Sequence, residues 1–229
     1  MNTESLATLL QFADGLFPAG GHAHSFGLET YVQEGTAVDA AGAAAFVTAY
    51  LEGAAGPSDA VAVTLSIDHA RAGDVAGLLA LDARLDAMRP AAELREASRQ
   101  MGRQTLRVAA TLTDDGLLRR FHEEADTGRT PAHHPVVFGA LGGVLGWTKE
   151  AAALAYLHAA AVVVVGSALR LLPVGQLEGQ RILSTVRPLL TRLARTASKA
   201  TSDDLWGFAP GVEAASMRHA QLEARLFRS

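Results

Sequence analysis

His22 and His24 stand two apart in the glycine-rich stretch Ala19-Gly20-Gly21-His22-Ala23-His24, and a His-X-His pair offers imidazole nitrogens of the kind that suit nickel or zinc. Two nitrogens leave most of a coordination sphere open. No third histidine or carboxylate follows at a defined spacing, so the pair is a candidate for transient metal contact only. The plainer reading is a constrained turn, set by Pro18 and the paired glycines, after which Ser25 or His24 opens a helix. His133 and His134 precede Pro135 in a polar segment, where exposed histidines are expected. The chain has no cysteine, which excludes disulfides, thiolate zinc sites and cysteine nucleophiles.

Other reactive patterns are missing too. The lysines, Lys149 and Lys199, follow Thr148 and Ser198, so there is no Gly-Lys-Ser/Thr phosphate loop and the chain is not itself a P-loop GTPase. No dinucleotide, zinc-protease or nucleophile-elbow motif is present. Arg95, Arg99, Arg103 and Arg107 recur every four residues; each step drifts around a helix, so they form a slanting basic stripe, either a solvated face or a patch for an acidic partner. The chain ends in Met217-Arg218-His219 and then Arg225-Leu226-Phe227-Arg228-Ser229. Large apolar side chains between arginines either pack back on the domain or anchor a partner.

The elements that must carry these residues read as helices. Apolar residues recur at helical spacing, with little period-2 alternation, over 4–13, 24–33, 39–53, 59–72, 74–88, 91–112, 115–125, 135–146, 148–172, 176–197 and 212–223. In 74–88 the stripe is Val75, Leu78, Leu81, Leu85 and Met88, with Asp82, Arg84 and Asp86 off it and Asp74 as N-cap. Segments 14–21, 126–134 and 201–211 read as loops. The expected architecture is all-α: a single-domain bundle of about ten helices spanning residues 1–229. Gly139 and Gly143, then Gly142 and Gly146, fall four apart and predict a close helix approach, within the chain or between two copies of it.

Net charge is −4, divided unevenly: three Arg against eleven acids in residues 1–90 (−8), seventeen basic against thirteen acidic groups in the rest (+4). An acidic total without a basic block argues against nucleic-acid binding. Residues 151–169 carry no charge, but their alanines, His158, Gly166 and Ser167 make a buried core helix the better reading than a membrane span. The N-terminus shows no basic segment followed by an apolar run, so the cytoplasm is the expected compartment.

Four pieces in order along the chain resemble the UreF family of urease accessory proteins. They are Phe17-Pro18-Ala19-Gly20 through His24-Ser25-Phe26-Gly27-Leu28-Glu29; His134-Pro135-Val136-Val137-Phe138-Gly139; Leu171-Leu172-Pro173-Val174-Gly175-Gln176 with Gly179-Gln180; and the two C-terminal pieces above. The pattern departs at His22, where the family usually has Phe or Tyr, and at Ala220, where it commonly has Glu. The resemblance implies an all-α, non-catalytic homodimer, a chaperone in metallocentre assembly that bridges UreD (also called UreH) and the GTPase UreG during nickel insertion into apo-urease. It implies no tightly bound cofactor, nickel being cargo. It also implies that residues 210–229 form the partner-binding segment, with Arg218, His219, Arg225, Leu226, Phe227, Arg228 and Ser229 facing UreD. Pro18, Gly20, His24, Ser25, Gly27 and Glu29 would shape the surface near the dimer and UreG. The alternative reading of the residues is a helical metal-binding enzyme using His22 and His24.

Overall fold

The computed structural model describes residues 1–229 and contains helices and turns but no strand. The helices are α1 (Thr3–Ala13), α2 (Leu28–Gln33), α3 (Ala40–Tyr50), α4 (Val61–Arg71), α5 (Val75–Ala87), α6 (Ala92–Leu112), α7 (Gly116–Asp126), α8 (His134–Val144), α9 (Lys149–Leu171), α10 (Gln176–Ala197) and α11 (Pro210–His219). Their starts are set by short polar side chains. Asn2, Asp39, Asp74, Asp115 and Thr148 each accept a hydrogen bond from a backbone N–H in the first turn of the helix that follows. One contiguous apolar core, from Leu9 to Val212, holds the bundle together.

α9 runs through this core, with α10, α4, α1, α2 and α3 packed around it. It is long and apolar enough to cross a bilayer, yet half of its most apolar stretch is buried against the rest of the chain. α8 lies along α4. A side chain at Gly139 would run into the Val63 carbonyl oxygen, and one at Gly143 would meet the Ala70 methyl group at 2.6 Å. The glycine face is therefore used by a helix pair within the chain, the first of the two expected alternatives.

Between α3 and α4 the expected helices 39–53 and 59–72 leave a gap at 54–58, which holds Gly56 and Pro57; the segment Leu51–Ala60 closes it. It winds as a π-helix, so 40–71 is one continuous rod. The wider turn accommodates Pro57, which has no N–H to donate, and Gly53 and Gly56 let other segments approach. A Cβ at Gly56 would press on the Leu193 side chain, and one at Gly53 on the Phe208 carbonyl.

Three placements differ from expectation. Asp82 is fully buried on the same face as Leu78 and Leu85, because position i+4 shares a face with i. Its carboxylate accepts hydrogen bonds from the Thr130 hydroxyl, Ala132 N–H (2.6 Å) and His133 N–H (2.8 Å), tying down the α7–α8 loop. His133, expected in solvent, is buried, with its ring Nε2 2.9 Å from Asp86. His134 is half-buried between the rings of Phe138 and Tyr156. The arginine stripe divides as its drift requires: Arg95 bonds the Arg89 carbonyl and Arg99 bonds Asp86, while Arg103 and Arg107 lie exposed without an ion pair.

The close helix pair gives a direct test. Gly139→Ala should lower the urea-unfolding free energy by about 1–3 kcal/mol, because the added methyl group meets the Val63 backbone and the Ser66 Cβ, neither of which can swing aside. Gly166→Ala, in open space on α9, should raise it by about 0.5–1 kcal/mol.

Candidate partner-binding surface

The sequence expects a helix from residue 24, but the chain turns there instead. A single 3-10 turn, Gly21–Ala23, is followed by His24 and Ser25, then Phe26 (φ +55°) and Gly27 (φ +92°), before α2 begins at Leu28. Gly27 is needed twice: its backbone is left-handed, and a Cβ would strike Ser216 and the Val212 carbonyl on α11. The turned backbone leaves the Ser25 and Phe26 N–H groups free, and both donate to the carbonyl oxygen of Ser229, at 2.6 and 3.1 Å.

α11 ends at His219, four residues short of the expected limit, and residues 220–229 run back as a strap over α2 and the 22–26 turn. Glu29, 2% exposed, is what the strap closes on. Its Oε1 accepts the Leu226 N–H (2.7 Å); its Oε2 accepts the Phe227 N–H (3.0 Å) and lies 2.9 Å from His219 Nε2. The other ring nitrogen of His219 is 2.7 Å from Glu93 on α6, whose second oxygen takes Arg225 at 3.0 Å. Further along, Gln33 donates to the Ala224 carbonyl and the Arg228 N–H to the Ala23 carbonyl. The Phe227 ring sits 4.4 Å beneath the Arg170 guanidinium. At the end, His24 Nδ1 is 2.9 Å from the Ser229 hydroxyl, and the Ser25 hydroxyl donates to the Ser229 carbonyl at 2.8 Å.

The residues singled out at the two ends of the sequence thus meet, but on two sides of one layer. His24, Ser25, Gly27, Glu29, His219, Phe227 and Ser229 are buried and hold the strap; Arg218, Arg225, Leu226 and Arg228 face out. Leu226 is 54% exposed, and Arg218 is paired to Glu34 through both of its carboxylate oxygens. Pro18 lies apart, exposed on the loop after α1, with Gly20 half-buried on the same loop. Glu93, which completes the clasp, carries no sequence signal beyond being an acid in the first turn of α6. His22 and His24 diverge: His22 is exposed, while His24 is buried with one ring nitrogen committed to Ser229. Nowhere do three or more His, Asp or Glu side chains stand together as metal ligands would.

A second feature adjoins the 22–26 turn along α9. A cavity of about 1000 Å3 opens between α1, α9 and α10, ringed by the exposed side chains of Leu6, Leu10 and Leu154. Its floor is the Asp59–Arg89 ion pair, with the Tyr156 hydroxyl 3.3 Å from Asp59, and Tyr50 and His134 beside it. Burial, and then the Asp59 charge, pushes both tyrosine hydroxyls up, so they stay protonated.

The chain is all-helical, buried polar groups clasp its tail, and Arg218, Arg225, Leu226 and Arg228 are left facing out. Residues 37–187 match the family profile described as UreF. The chain is 34% identical to a urease accessory protein UreF from Bacillus sp. (strain TB-90) over 224 residues, 98% of this chain and 99% of that one. It is 33% identical to the same-named protein from Trichodesmium erythraeum, covering 98% and 97%, and 31% identical to that from Geobacillus kaustophilus along the whole of both. The chain belongs to the UreF family of urease accessory proteins, and with it the metalloenzyme alternative built on His22 and His24 falls away.

Two buried histidines and the half-buried His134 make the fold sensitive to acid. Burial holds His24, His133 and His134 down to about 4; the nearby cations Arg228 for His24 and Arg89 for the other two add to this. Between the ordinary value of 6.5 and about 4 the unfolded chain binds protons that the folded chain refuses, so stability rises with pH across that window. Each histidine contributes up to ~1.4 kcal/mol per pH unit. Urea midpoints should therefore fall steadily from pH 7 to pH 4.5, and the fall should be shallower in His133→Gln.

Proposed function

We propose that this chain is a non-catalytic scaffold that bridges UreD (UreH) and the GTPase UreG during GTP-dependent nickel insertion into apo-urease. The observation that carries the reading is the clasped strap. A buried acid, a half-buried acid, a buried histidine and an aromatic side chain are spent on presenting Arg218, Arg225, Leu226 and Arg228 in one fixed arrangement. Preorganised apolar and arginine side chains lose little entropy on docking, which is how anchors at interfaces gain affinity. This outer face of residues 210–229 is assigned to UreD. His219, Phe227 and Ser229, expected to touch the partner, are assigned the task of holding that face in shape. The loop carrying Pro18 and Gly20, at the far end of the 22–26 turn, is assigned to the UreG side.

Nickel fits this role as cargo. A chain without thiolates offers Ni2+ only nitrogen, oxygen and water ligands, which favours passage over storage. The cytoplasm, where apo-urease is to be loaded, is the compartment this role requires.

The chain is further assigned to a homodimer built across the cavity flank of α9. Leu6, Leu10 and Leu154 surround a large apolar opening there, and a two-fold contact would cover them reciprocally.

Two measurements test these assignments. Leu226→Asp combined with Arg218→Glu alters only exposed side chains, so capture of UreD should fall at least about tenfold with the helical circular dichroism unchanged; undiminished capture would refute the docking face. Leu10→Asp with Leu154→Asp should convert a dimer to a monomer in light scattering, and a variant that remains dimeric would place the contact elsewhere.

A further inference from the structure

The cavity between α1, α9 and α10 has two unlike kinds of lining. Leu9, Phe12, Phe17, Met101 and Val163 supply apolar walls, whereas the floor around Asp59 and Arg89 is polar. The chain leaves this space open by using small residues on the α9 face that borders it, Ala155, Ala159 and Gly166. A Cβ built on Gly166 would meet nothing within 4 Å. Packing faults in protein interiors seldom exceed the size of a water molecule, whereas about 1000 Å3 walled by apolar side chains over a few convergent polar groups is the make-up of a small-molecule site.

The floor holds more hydrogen-bond donors than acceptors. Asp59 is its buried carboxylate, and its oxygens already take the Arg89 Nη2 at 2.5 Å, the Ser58 hydroxyl at 3.1 Å and the Tyr156 hydroxyl at 3.3 Å. Arg89 Nε and Ser98 Oγ, on two further lining residues, are buried with no partner in the chain, and Ser98 is only 6% exposed. Buried polar groups in native proteins are met by protein, by ordered water or by a ligand. Tyr50 and Tyr156, kept protonated by burial, bring hydroxyl donors and no charge. His134, held down to about 4 by burial, is neutral at ordinary pH and offers one lone pair.

Charge narrows the ligand further. Arg89 already answers Asp59, so an anionic head would set a second negative charge beside that carboxylate with no fresh cation to balance it. A cationic head would crowd the guanidinium in the same way. An uncharged oxygen, from a hydroxyl or a carbonyl, supplies the missing acceptor without disturbing the pair.

We infer that the cavity is a binding site for a small neutral amphiphile, with its apolar body along α9 between α1 and α10 and its hydroxyl or carbonyl oxygen on the floor formed by Arg89, Ser98 and Tyr50. The site is made by one copy of the chain and depends neither on UreD docking nor on a second copy. A homodimer across the same flank would close its mouth over the ligand.

The full-length chain with 13C-labelled Leu, Val and Met methyl groups supplies the test, with 1-octanol and ionised octanoate as probes at neutral pH. Octanol should shift the methyl signals of Leu9, Met101 and Val163 and saturate below about 1 mM, and octanoate should bind at least about tenfold more weakly. Ala159→Trp, which fills the open space, should abolish the saturable shifts. Ser98→Ala should weaken octanol about threefold to tenfold while leaving the urea midpoint of the empty chain unchanged or raised, because the hydroxyl it removes has no partner there. Octanol that fails to saturate, that binds either variant as well as the wild type, or that binds no tighter than octanoate would overturn the site. Light scattering on the same samples reads the number of copies separately, so the dimer assignment stands or falls without this one.

Discussion

A carboxylate taken out of water has to be answered by donors, and in this chain the donors that answer Glu29 come from residues nearly two hundred positions away. That requirement organises the functional end of the molecule. α2 can be as short as Leu28–Gln33 because its buried acid is completed by the tail rather than by its own turn. The 22–26 turn can leave two N–H groups outside helical pairing because the Ser229 carbonyl receives them. α11 can stop at His219 because the ring there is already engaged on both sides. Removing the carboxylate would leave the strap N–H groups, the imidazole and the turn without partners together, which is why the clasp behaves as a unit and not as a sum of separate bonds.

Most of the fold was legible from the sequence because its helices are amphipathic in the ordinary way. α6 buries Leu94, Ala97, Met101, Thr105 and Ala109 at spacings of three and four, and α10 keeps the predicted bounds. Legibility failed where tertiary demand overrode local pattern. Asp82 occupies an apolar face because the 127–134 loop needs a buried acceptor, and a polar letter within a hydrophobic stripe does not announce that need. Gly56 and Pro57 fell in the gap between two expected helices, but they are tolerated inside a widened helix, where Gly53 and Gly56 let neighbouring segments approach closely. His133 looked like a loop residue and is a buried partner of Asp86.

The site was legible in its parts and not in its assembly. Sequence alone could mark the N-terminal turn and the C-terminal tail as unusual, and the resemblance to the family named them together. Nothing in the order of residues states that Glu29 meets Leu226 and Phe227, or that Glu93 completes the clasp. Periodicity reports which face of an element is buried; it is silent about which distant backbone that face will satisfy. The division of the tail into a holding side and a presented side, Phe227 in and Leu226 out, is made at a bend, where both backbone N–H groups turn toward Glu29.

The widened winding of Leu51–Ala60 has a bearing on descent. A helix that takes in one extra residue per turn is the trace an inserted amino acid leaves when the rod around it is kept, and further on everything is rotated to suit. Were a single residue lost from this stretch, α4 would turn by about 100°. Val63, Ile67 and Ala70 would then swing away from the glycines of α8. Relatives should therefore vary in length at the loops flanking this rod and hold its residue count constant, with the tight α4–α8 seam acting as the ruler that enforces the number.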